Sequence, residues 1–466
     1  MADNFAILLE ISARAAPAKS GLAWSGGSLT YEELDWRASC AAGGLAARGI
    51  RTGHRVVISL ANGWPFVVAL LGALKLGATV APLNPLLTAE ERAIILADLA
   101  PALVVTEPDC AGSPTQARTP VAAPALILYT SGSTGRPKGA VLSHDALAFA
   151  IRSWAGPVMQ LSSHDVVLGV LPFAHSFGLN GALFAPLLAG ATVALLERFV
   201  PDAVLEAIEQ HQVTVLPGVA TMFRRLLDAP GFGRQRVASL RLAVSGAAPC
   251  PWELAQEWRE QTGMRILRGY GSTEIFRPVS YRAEDPTEIP EAIGRAVPGV
   301  ALRIVDEAER AQTSGQAGEL LIKSPAVMNG YLGAPEETRS ALDDGWFRTG
   351  DLARMDRDGF VTIVGRKKDL ILRGGYSVSP PEVEAALLTH PAVAEAAVVG
   401  RPHPELGEDI AAFVTLHSHA HAGPDELLAH CARSLAAFKC PRLVRVVDAL
   451  PRSATGKILK SRLADL

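Results

Sequence analysis

The sequence predicts an α/β fold with a large N-terminal domain of layered α/β subdomains and a small α+β domain at the C-terminus. The chain has 466 residues, whereas a single hydrophobic core stops growing at roughly 250–300 residues, so two domains are expected. Strand-like and helical segments alternate through most of the chain, which is typical of parallel α/β layers. Aromatic residues make up only 6% of the sequence, which favours α/β over all-β architecture.

The alternation is clearest between residues 30 and 105. Thr30 is a candidate N-cap for an amphipathic helix that begins at Tyr31. A buried strand, a helix and a second strand are predicted next, at residues 55–60, 65–76 and 78–82. Residues 107–124 are rich in Pro, Ala, Gly, Ser and Thr and predict a loop.

A second α/β stretch covers residues 160–310, and the pattern changes near residue 360. Further strands are predicted at residues 126–129, 213–216, 241–244 and 360–364. The last of these leads into a basic cluster and then into a segment with its own helix and strand signals. We place the domain boundary at Lys368, which divides the chain into residues 1–367 and 368–466.

Charge and cysteine content exclude several classes of protein. The formal net charge is −3 and no basic face stands out, so no nucleic-acid partner is expected. The five cysteines are scattered without a CxxC pair, which argues against a disulfide framework or a zinc site and indicates a reducing compartment. The start of the sequence lacks the basic region of a signal peptide, and the apolar run at 66–74 is too short to span a bilayer. We therefore expect a cytoplasmic protein without a membrane span.

A glycine- and hydroxyl-rich loop at residues 129–139 is the strongest single motif. Glycines let a backbone approach an anion closely, hydroxyl groups donate hydrogen bonds to phosphate oxygens, and a lysine supplies compact positive charge. The loop lacks the Gly-Lys-Ser/Thr sequence of P-loop NTPases, so it predicts a different kind of nucleotide-phosphate site. A surface loop without a ligand is the alternative. The candidate phosphate-binding residues are Thr130, Ser131, Gly132, Ser133, Thr134, Gly135 and Lys138.

This loop closely resembles the signature loop of the adenylate-forming superfamily, which includes acyl-CoA synthetases, the adenylation domains of peptide synthetases and firefly luciferase. Further motifs extend the resemblance from near residue 20 to near residue 460. The resemblance implies an AMP-forming ligase that uses ATP and Mg²⁺ to activate a carboxylic acid as an acyl-adenylate, with release of pyrophosphate. The acyl group would then pass to coenzyme A. The N-terminal domain would bind ATP and the acid, and the mobile C-terminal domain would carry a catalytic lysine.

Two segments resemble the nucleotide-binding motifs of this superfamily. The resemblance implies that Tyr270 stacks on adenine, Thr273 contacts the α-phosphate and Glu274 binds Mg²⁺. An aromatic ring offers a π-face and a carboxylate is a hard oxygen ligand, so the residue types suit these roles. The first segment also contains Gly271 and Ser272, and its alternative interpretation is a turn without a ligand. The second segment contains Gly246, Ala247 and Ala248, which would lie beside the adenine, and its alternative is a tight strand–helix connection.

The C-terminal part of the resemblance supplies the other roles. Asp351 and Arg366 would bind the ribose hydroxyls, with a surface salt bridge as the alternative for Arg366. Lys368 would be the hinge residue, with a solvated basic run as its alternative. Lys457 would stabilise the charge that develops as pyrophosphate leaves. The pantetheine tunnel would be lined by Gly374 and Gly375.

The acyl pocket is expected to be mainly apolar, which suits an aromatic or medium-length aliphatic acid. Its candidate residues are His175, Phe177, Gly178, Val219, Ile275 and Phe276. A satisfied core histidine is the alternative for His175. Arg277 would either meet a second polar group of the substrate or, the favoured interpretation, form a structural ion pair. Residues 288–291 lack the arginine that relatives acting on malonate carry, so malonate is disfavoured. An amino-acid substrate is also disfavoured.

Three rival functions remain from the sequence. An acyl-AMP ligase that loads a carrier protein is the nearest, although the short run from residue 331 to 350 leaves little room for the insertion that such enzymes often carry. A luciferase-like oxygenase and a non-catalytic nucleotide-binding protein are the others. The motifs leave the oligomeric state open.

Overall fold

The structure is a computed structural model that describes residues 4–108, 110–115, 124–130, 137–285, 289–373, 376–452 and 458–465. The chain forms two compact units. The first comprises Met1–Leu302 and Ile322–Phe347, and the second comprises Arg303–Leu321 and Arg348–Leu466. The predicted domain boundary and hinge at Lys368 stay a prediction. None of the helices in the described part of the chain has both the length and the apolar character needed to cross a bilayer.

The α-helices in chain order are α1 (Phe5–Ala15), α2 (Tyr31–Ala47), α3 (Trp64–Lys75), α4 (Ala89–Leu99), α5 (His144–Ser153), α6 (Ala185–Leu188), α7 (Pro201–His211), α8 (Ala220–Leu227), α9 (Trp252–Thr262), α10 (Pro335–Ala341), α11 (Pro380–Leu388) and α12 (Pro424–Ser434). Two π-helical segments, Trp154–Val158 and Gly178–Phe184, adjoin α5 and α6, and two 3-10 segments are Lys367–Asp369 and Lys460–Asp465.

The strands of the first half of the chain are β1 (Ser20–Trp24), β2 (Gly27–Thr30), β3 (Arg55–Ile58), β4 (Thr79–Pro82), β5 (Leu103–Val105), β6 (Pro124–Thr130), β7 (Lys138–Ser143), β8 (Val166–Gly169), β9 (Thr192–Leu195), β10 (Val215–Gly218) and β11 (Leu242–Ser245). The later strands are β12 (Ile266–Leu267), β13 (Gly269–Ser272), β14 (Phe276–Ser280), β15 (Arg295–Ala296), β16 (Ala301–Val305), β17 (Gly318–Lys323), β18 (Gly330–Tyr331), β19 (Leu342–Asp343), β20 (Trp346–Met355), β21 (Val361–Arg366), β22 (Ile371–Arg373), β23 (Tyr376–Val378), β24 (Val393–His403), β25 (Gly407–Leu416) and β26 (Leu443–Val446).

Two large sheets organise the first unit. One has the strand order β12-β11-β10-β8-β9-β1-β2 and is parallel except for the β1–β2 hairpin. The other has the order β18-β7-β6-β4-β3-β5, with β6, β4, β3 and β5 parallel. Strands β4, β10 and β11 are buried along their whole length, as expected for parallel strands covered on both faces. The first unit also contains a three-stranded antiparallel sheet, β13-β14-β15.

Local signals in the sequence account for several of these elements. Helix α2 begins at Tyr31, as predicted, and Thr30 caps it by accepting a hydrogen bond from the Glu33 amide. Helix α3 is buried from Phe66 to Lys75. The Lys75 ammonium, only 2% exposed, lies 2.6 Å from a Glu10 oxygen and 2.7 Å from an Asp35 oxygen. This ion pairing ties α3 to α1 and α2.

The second unit contains its own small α+β core. Its main sheet has the order β23-β22-β25-β24, with β26 parallel to β25. Helices α11 and α12 pack against it through a core that includes Val383, Leu387 and Leu427. Strand β20 pairs with β21 in the same unit, which places Asp351 opposite Arg366. The predicted α/β class, with a large N-terminal and a small C-terminal domain, is confirmed.

Candidate active site

The candidate phosphate loop connects two antiparallel strands. Strands β6 and β7 pair so that Thr130 lies opposite Lys138 at the end of the hairpin. Gly139 follows Lys138, and a Cβ there would lie 2.8 Å from the Ile127 side chain, so glycine is needed for this close pairing. The predicted loop residues Ser131, Gly132, Ser133, Thr134 and Gly135 lie outside the described residues.

Lys138 lies beside an aromatic ring and a carboxylate of the same unit. Its ammonium is 5.4 Å from the centre of the Tyr331 ring and 3.9 Å from an oxygen of Glu337. Tyr331 belongs to β18, which pairs with β7, and its amide donates to the Thr338 hydroxyl across 2.9 Å. The lysine is partly exposed, so its charge is available to an anionic ligand. Sequence reasoning missed Tyr331 because only the sheet pairing brings it to the loop.

Glu274 is joined to this cluster by a hydrogen bond from Tyr331. The phenol hydroxyl donates to Oε1 of Glu274 across 3.0 Å. Burial, with the charge and hydrogen bond of Glu274, raises the pKa of Tyr331, so it stays a neutral donor. The Glu274 carbonyl also accepts a hydrogen bond of 2.8 Å from the Met328 amide. The carboxylate is thus held at one oxygen, and its second oxygen has no hydrogen-bond partner among the described residues.

The tight β13–β14 hairpin positions this motif. Ser272 pairs with Phe276, so Thr273, Glu274 and Ile275 form the connection. A Cβ on Gly271 would overlap the Phe276 carbonyl, so only glycine fits at that position. Phe276 itself has a positive φ of 55°, a strained conformation that concentrates at functional sites. Tyr270 lies on β13, half-buried.

The oxygen ligands available at Glu274 suit a magnesium ion that is bound together with phosphate. Mg²⁺ usually takes one or two protein carboxylates and completes its shell with phosphate oxygens and water. Glu274 supplies one carboxylate, and the buried Ser272 hydroxyl has no hydrogen-bond partner in the part of the chain that the structure describes. The described residues hold no cluster of three or more His, Cys, Asp or Glu that would form an all-protein metal cage. The residue types at Glu274 are therefore consistent with a metal ion that is bound jointly by the protein and a nucleotide phosphate.

Several predicted pocket residues lie at the carboxyl edge of the seven-stranded sheet. Strands β8, β10 and β11 are neighbours and parallel, with Gly218 of β10 opposite Ser245 of β11. Val219 and Gly246 follow these strands directly, and His175 lies in the segment after β8. Ligands of open α/β sheets bind at this edge. Ala247 adopts a positive φ of 63°, which turns the chain sharply beside Gly246 and Ala248.

An aromatic pair lies among the residues predicted for the acyl pocket. The Phe177 and Trp154 rings stack with their centres 5.3 Å apart. A Cβ on Gly246 would lie 3.2 Å from the Phe177 ring, so the glycine lets the ring reach the sheet edge. A Cβ on Gly178 would overlap the Pro172 carbonyl, which fixes glycine at the start of the π-helical segment. His175, half-buried, accepts a hydrogen bond of 3.3 Å at Nδ1 from the Phe177 amide. Sequence reasoning missed Trp154.

The contacts of Arg277 differ from the ion pair that the sequence analysis favours. A structural ion pair was favoured for it, but no carboxylate of the described residues pairs with its guanidinium. It donates instead to the Ser280 hydroxyl and to the carbonyls of Ser245 and Leu267. The guanidinium carbon lies 4.9 Å from the centre of the Trp154 ring. Ile275 and Phe276 are buried on the same hairpin.

The second unit brings two predicted ribose ligands together. Arg366 Nε lies 2.9 Å from Asp351 Oδ1, so both side chains are already aligned by the β20–β21 register. Lys368 lies in the 3-10 segment that follows β21. Nearby, the buried Arg373 pairs with Asp409 at 2.8 Å, and Tyr376 stacks on Phe438. Gly374, Gly375 and Lys457 lie outside the described residues.

Comparison with known proteins identifies the family. The AMP-binding enzyme family matches residues 9–123 and 111–332, and the AMP-binding enzyme C-terminal domain matches residues 382–457. A feruloyl-CoA synthase of Amycolatopsis sp is 35% identical over 97% of this chain and 96% of its own length.

Solved structures agree with this match. The ATP-bound structure of MatB from Rhodopseudomonas palustris superposes with a TM-score of 0.94 at 33% identity, over 100% of this chain and 99% of that one. A benzoate CoA ligase from Burkholderia xenovorans LB400 has a TM-score of 0.91 at 30% identity, over 99% of both chains. The resemblance to adenylate-forming enzymes is confirmed: the chain belongs to the AMP-binding enzyme family.

Proposed function

We propose that the protein is an AMP-forming carboxylic acid–CoA ligase. The observation that carries the proposal is the cluster of Lys138, Tyr331 and Glu274, which places a cation and a held carboxylate beside the phosphate hairpin. The names of the relatives support the reaction type, since they include a feruloyl-CoA synthase and a benzoate CoA ligase. The ATP-bound neighbour supports ATP as the activating substrate.

The first half-reaction gives the acid a good leaving group. The carboxylate of the acid attacks the α-phosphorus of ATP, the bond to the bridging oxygen breaks, and pyrophosphate departs. The Lys138 ammonium would neutralise charge on the outer phosphates, and the Thr130 hydroxyl at the hairpin end would donate to a phosphate oxygen. Mg²⁺, held by Glu274, would neutralise further phosphate charge. Catalysis by these groups is mostly positioning and electrostatic stabilisation.

Other roles in the proposal rest on the family resemblance. Tyr270 would stack on the adenine, beside the turn at residues 246–248, and Thr273 would contact the α-phosphate. The ribose hydroxyls would be bound by Asp351 and Arg366, whose mutual ion pair supports a pre-arranged pair. Lys457 would stabilise the developing charge, and Lys368 would be the hinge. In the second half-reaction the thiolate of CoA, which would enter through a tunnel lined by Gly374 and Gly375, attacks the acyl carbon. The bond between that carbon and the phosphate oxygen breaks, and AMP leaves.

The acid is proposed to enter beside the Phe177–Trp154 stack. Phe177, Ile275 and Phe276 are buried apolar side chains, and together with Val219 they support an aromatic or medium-length aliphatic body. His175 would border the place where acid and thiol meet. A carrier protein remains the alternative acceptor, and the cytoplasmic location remains an expectation.

A panel of acids with two acceptors tests this function. Purified protein with ATP and Mg²⁺ is given aromatic and aliphatic acids, and pyrophosphate release is measured with no acceptor, with CoA and with a holo-carrier protein. We expect acid-dependent pyrophosphate release and an acyl-CoA product. Thioester formation on the carrier protein but not on CoA would replace the proposed acceptor, and pyrophosphate release independent of any acid would refute the ligase function.

A further inference from the structure

Arg277 is a buried cation beside the predicted acyl-pocket residues, and the charge of Cys250 favours its cationic form. Arg277 is 6% exposed, yet no carboxylate of the described residues pairs with it. Its hydrogen-bond acceptors are neutral oxygens: the Ser280 hydroxyl at 2.9 Å and the carbonyls of Ser245 and Leu267 at 2.7 and 3.1 Å. Charged side chains are rarely buried without a counter-charge, because desolvation of the charged form is costly.

The guanidinium also has donors to spare. It carries five N–H groups in a planar fork, and only three have acceptors among the described residues. A carboxylate or a sulfonate presents paired oxygens that match such a fork. The structure therefore holds both a charge and hydrogen-bond donors that an anionic oxygen group would satisfy.

The guanidinium of Arg277 lies where the predicted acyl pocket meets the nucleotide motifs, because it contacts the Trp154 ring on one side and lies against Gly246 and Gly269 on the other. A Cβ on Gly246 would lie 3.0 Å from Nη1 of Arg277 and 3.2 Å from the Phe177 ring. The guanidinium also lies against the face of Trp154, which stacks on Phe177. Arg277 therefore lies beside the aromatic pair, at the carboxyl edge of the seven-stranded sheet.

Burial does not remove the charge at neutral pH. Desolvation lowers the pKa of Arg277 from its ordinary range to about 9, so the side chain is still a cation near pH 7. The free energy spent on burying it would be recovered in part when an anion binds, because attraction between charges is strong in a site that excludes water.

We propose that Arg277 recognises a second anionic oxygen group at the far end of the acid substrate. The preferred substrates would then be bifunctional acids, with an aromatic or aliphatic body, one carboxylate that is activated and a terminal carboxylate or sulfonate that meets Arg277. This inference rests on the proposed acid–CoA ligase function and deepens it by naming the substrate class.

The test compares acids of matched length and shape that differ only at the far end. Each set has a terminal carboxylate, a terminal sulfonate and a terminal methyl group, on aliphatic chains and on a para-substituted benzoate. The readout is the ratio of kcat/KM for the anionic acid to that for the methyl acid, from pyrophosphate release. We expect about a tenfold or greater preference for one anionic ending, mainly in KM, as charge-assisted hydrogen bonds imply. The two anionic arms distinguish carboxylate from sulfonate.

Arg277→Gln should bring this ratio close to one, and Arg277→Lys should restore part of it because the charge returns. Arg268→Gln is the matched control, since Arg268 is also buried, lies over the Trp252 ring and donates to the Ile289 carbonyl across 2.8 Å. The control should keep the wild-type ratio. A purely structural role for Arg277 would instead lower the unfolding temperature and leave the ratio unchanged.

The ratio of kcat/KM values for the wild-type protein tests the inference even if Arg277→Gln fails to fold. Methyl-ended acids used as well as, or better than, both anionic acids would overturn the inference while leaving the ligase function intact. Pyrophosphate release with none of the acids would refute the proposed function itself.

Discussion

The Tyr331 hydroxyl donates a hydrogen bond of 3.0 Å to a carboxylate oxygen of Glu274, 57 residues away in the chain. The same tyrosine ring lies under the Lys138 ammonium. Tyr331 thus connects the proposed metal ligand to the proposed phosphate ligand. It is a positioning residue, because it acts through Glu274 and Lys138.

Tyr331→Phe should weaken the use of Mg²⁺. The substitution removes one hydrogen bond to a charged group, which contributes about 1.5–3 kcal/mol, so Glu274 is held less firmly. We expect the Mg²⁺ concentration for half-maximal pyrophosphate release to rise about tenfold. Calorimetry of ATP binding with and without Mg²⁺ gives a readout independent of turnover. An unchanged Mg²⁺ dependence in both measurements would contradict the positioning role.

Lys138→Ala should raise KM for ATP by about tenfold or more, because a positive charge beside the phosphates is lost. Lys323→Ala is the control, since Lys323 is an exposed lysine that also lies near an aromatic ring, Trp346, and donates to the Asp344 carbonyl. Steady-state kinetics at saturating acid measures both variants. An equal effect of the two substitutions would mean that Lys138 has no specific place at the phosphates.

Lys457→Ala should separate the two half-reactions. By the family resemblance, this lysine acts only while pyrophosphate leaves, so adenylation should be abolished and the reaction of supplied acyl-adenylate with CoA should be largely retained. Lys460→Ala is a nearby control, because Lys460 pairs with Glu384 at 2.6 Å within the second unit. Comparable loss of both half-reactions in Lys457→Ala would refute the assignment.

Asp165→Asn should lower stability in a pH-dependent way. Asp165 precedes β8 and accepts hydrogen bonds from Thr214 and Arg241, which precede β10 and β11. Although burial acts in the opposite direction, the hydrogen bonds from Arg241, Ser162 and Thr214 lower the pKa of Asp165 to about 2.

A folded-state pKa below the unfolded value stabilises the fold above pH 4 or so, and this stability is lost as the pH falls towards about 2. We expect the variant to lose about 2 kcal/mol near pH 7. Denaturant unfolding at several pH values checks this: the difference from wild type should shrink as the pH falls towards 2. A difference that is constant from pH 7 to pH 2 would rule out the carboxylate charge as its source.

Local patterns made much of the fold predictable. The Thr30 cap depends on a glutamate three residues later, a spacing visible in the sequence. The strand predicted at residues 55–60 and the helix at 65–76 appear as β3 and α3, with ends shifted by one or two residues. The strand predicted at residues 126–129 appears as β6, and the phosphate-binding role of the glycine- and hydroxyl-rich loop after it stays a prediction.

Long-range contacts could not be predicted from those patterns. Lys75 appears in the sequence as a charge that ends an apolar run, yet Glu10 and Asp35 of two other helices surround its ammonium. Tyr331 carries no nearby motif that indicates Glu274 as its partner. That no carboxylate of the described residues pairs with Arg277 could not be predicted either, because such a partner could come from any distant part of the chain.

Direct detection of the intermediate tests the central claim most closely. Protein, ATP, Mg²⁺ and an accepted acid are mixed without CoA, the products are identified by mass spectrometry, and CoA is then added. Our account predicts an acyl-AMP and pyrophosphate in the first stage, and conversion of that acyl-AMP to acyl-CoA and AMP in the second. Formation of ADP and phosphate, or of acyl-CoA without a preceding acyl-AMP, would contradict it.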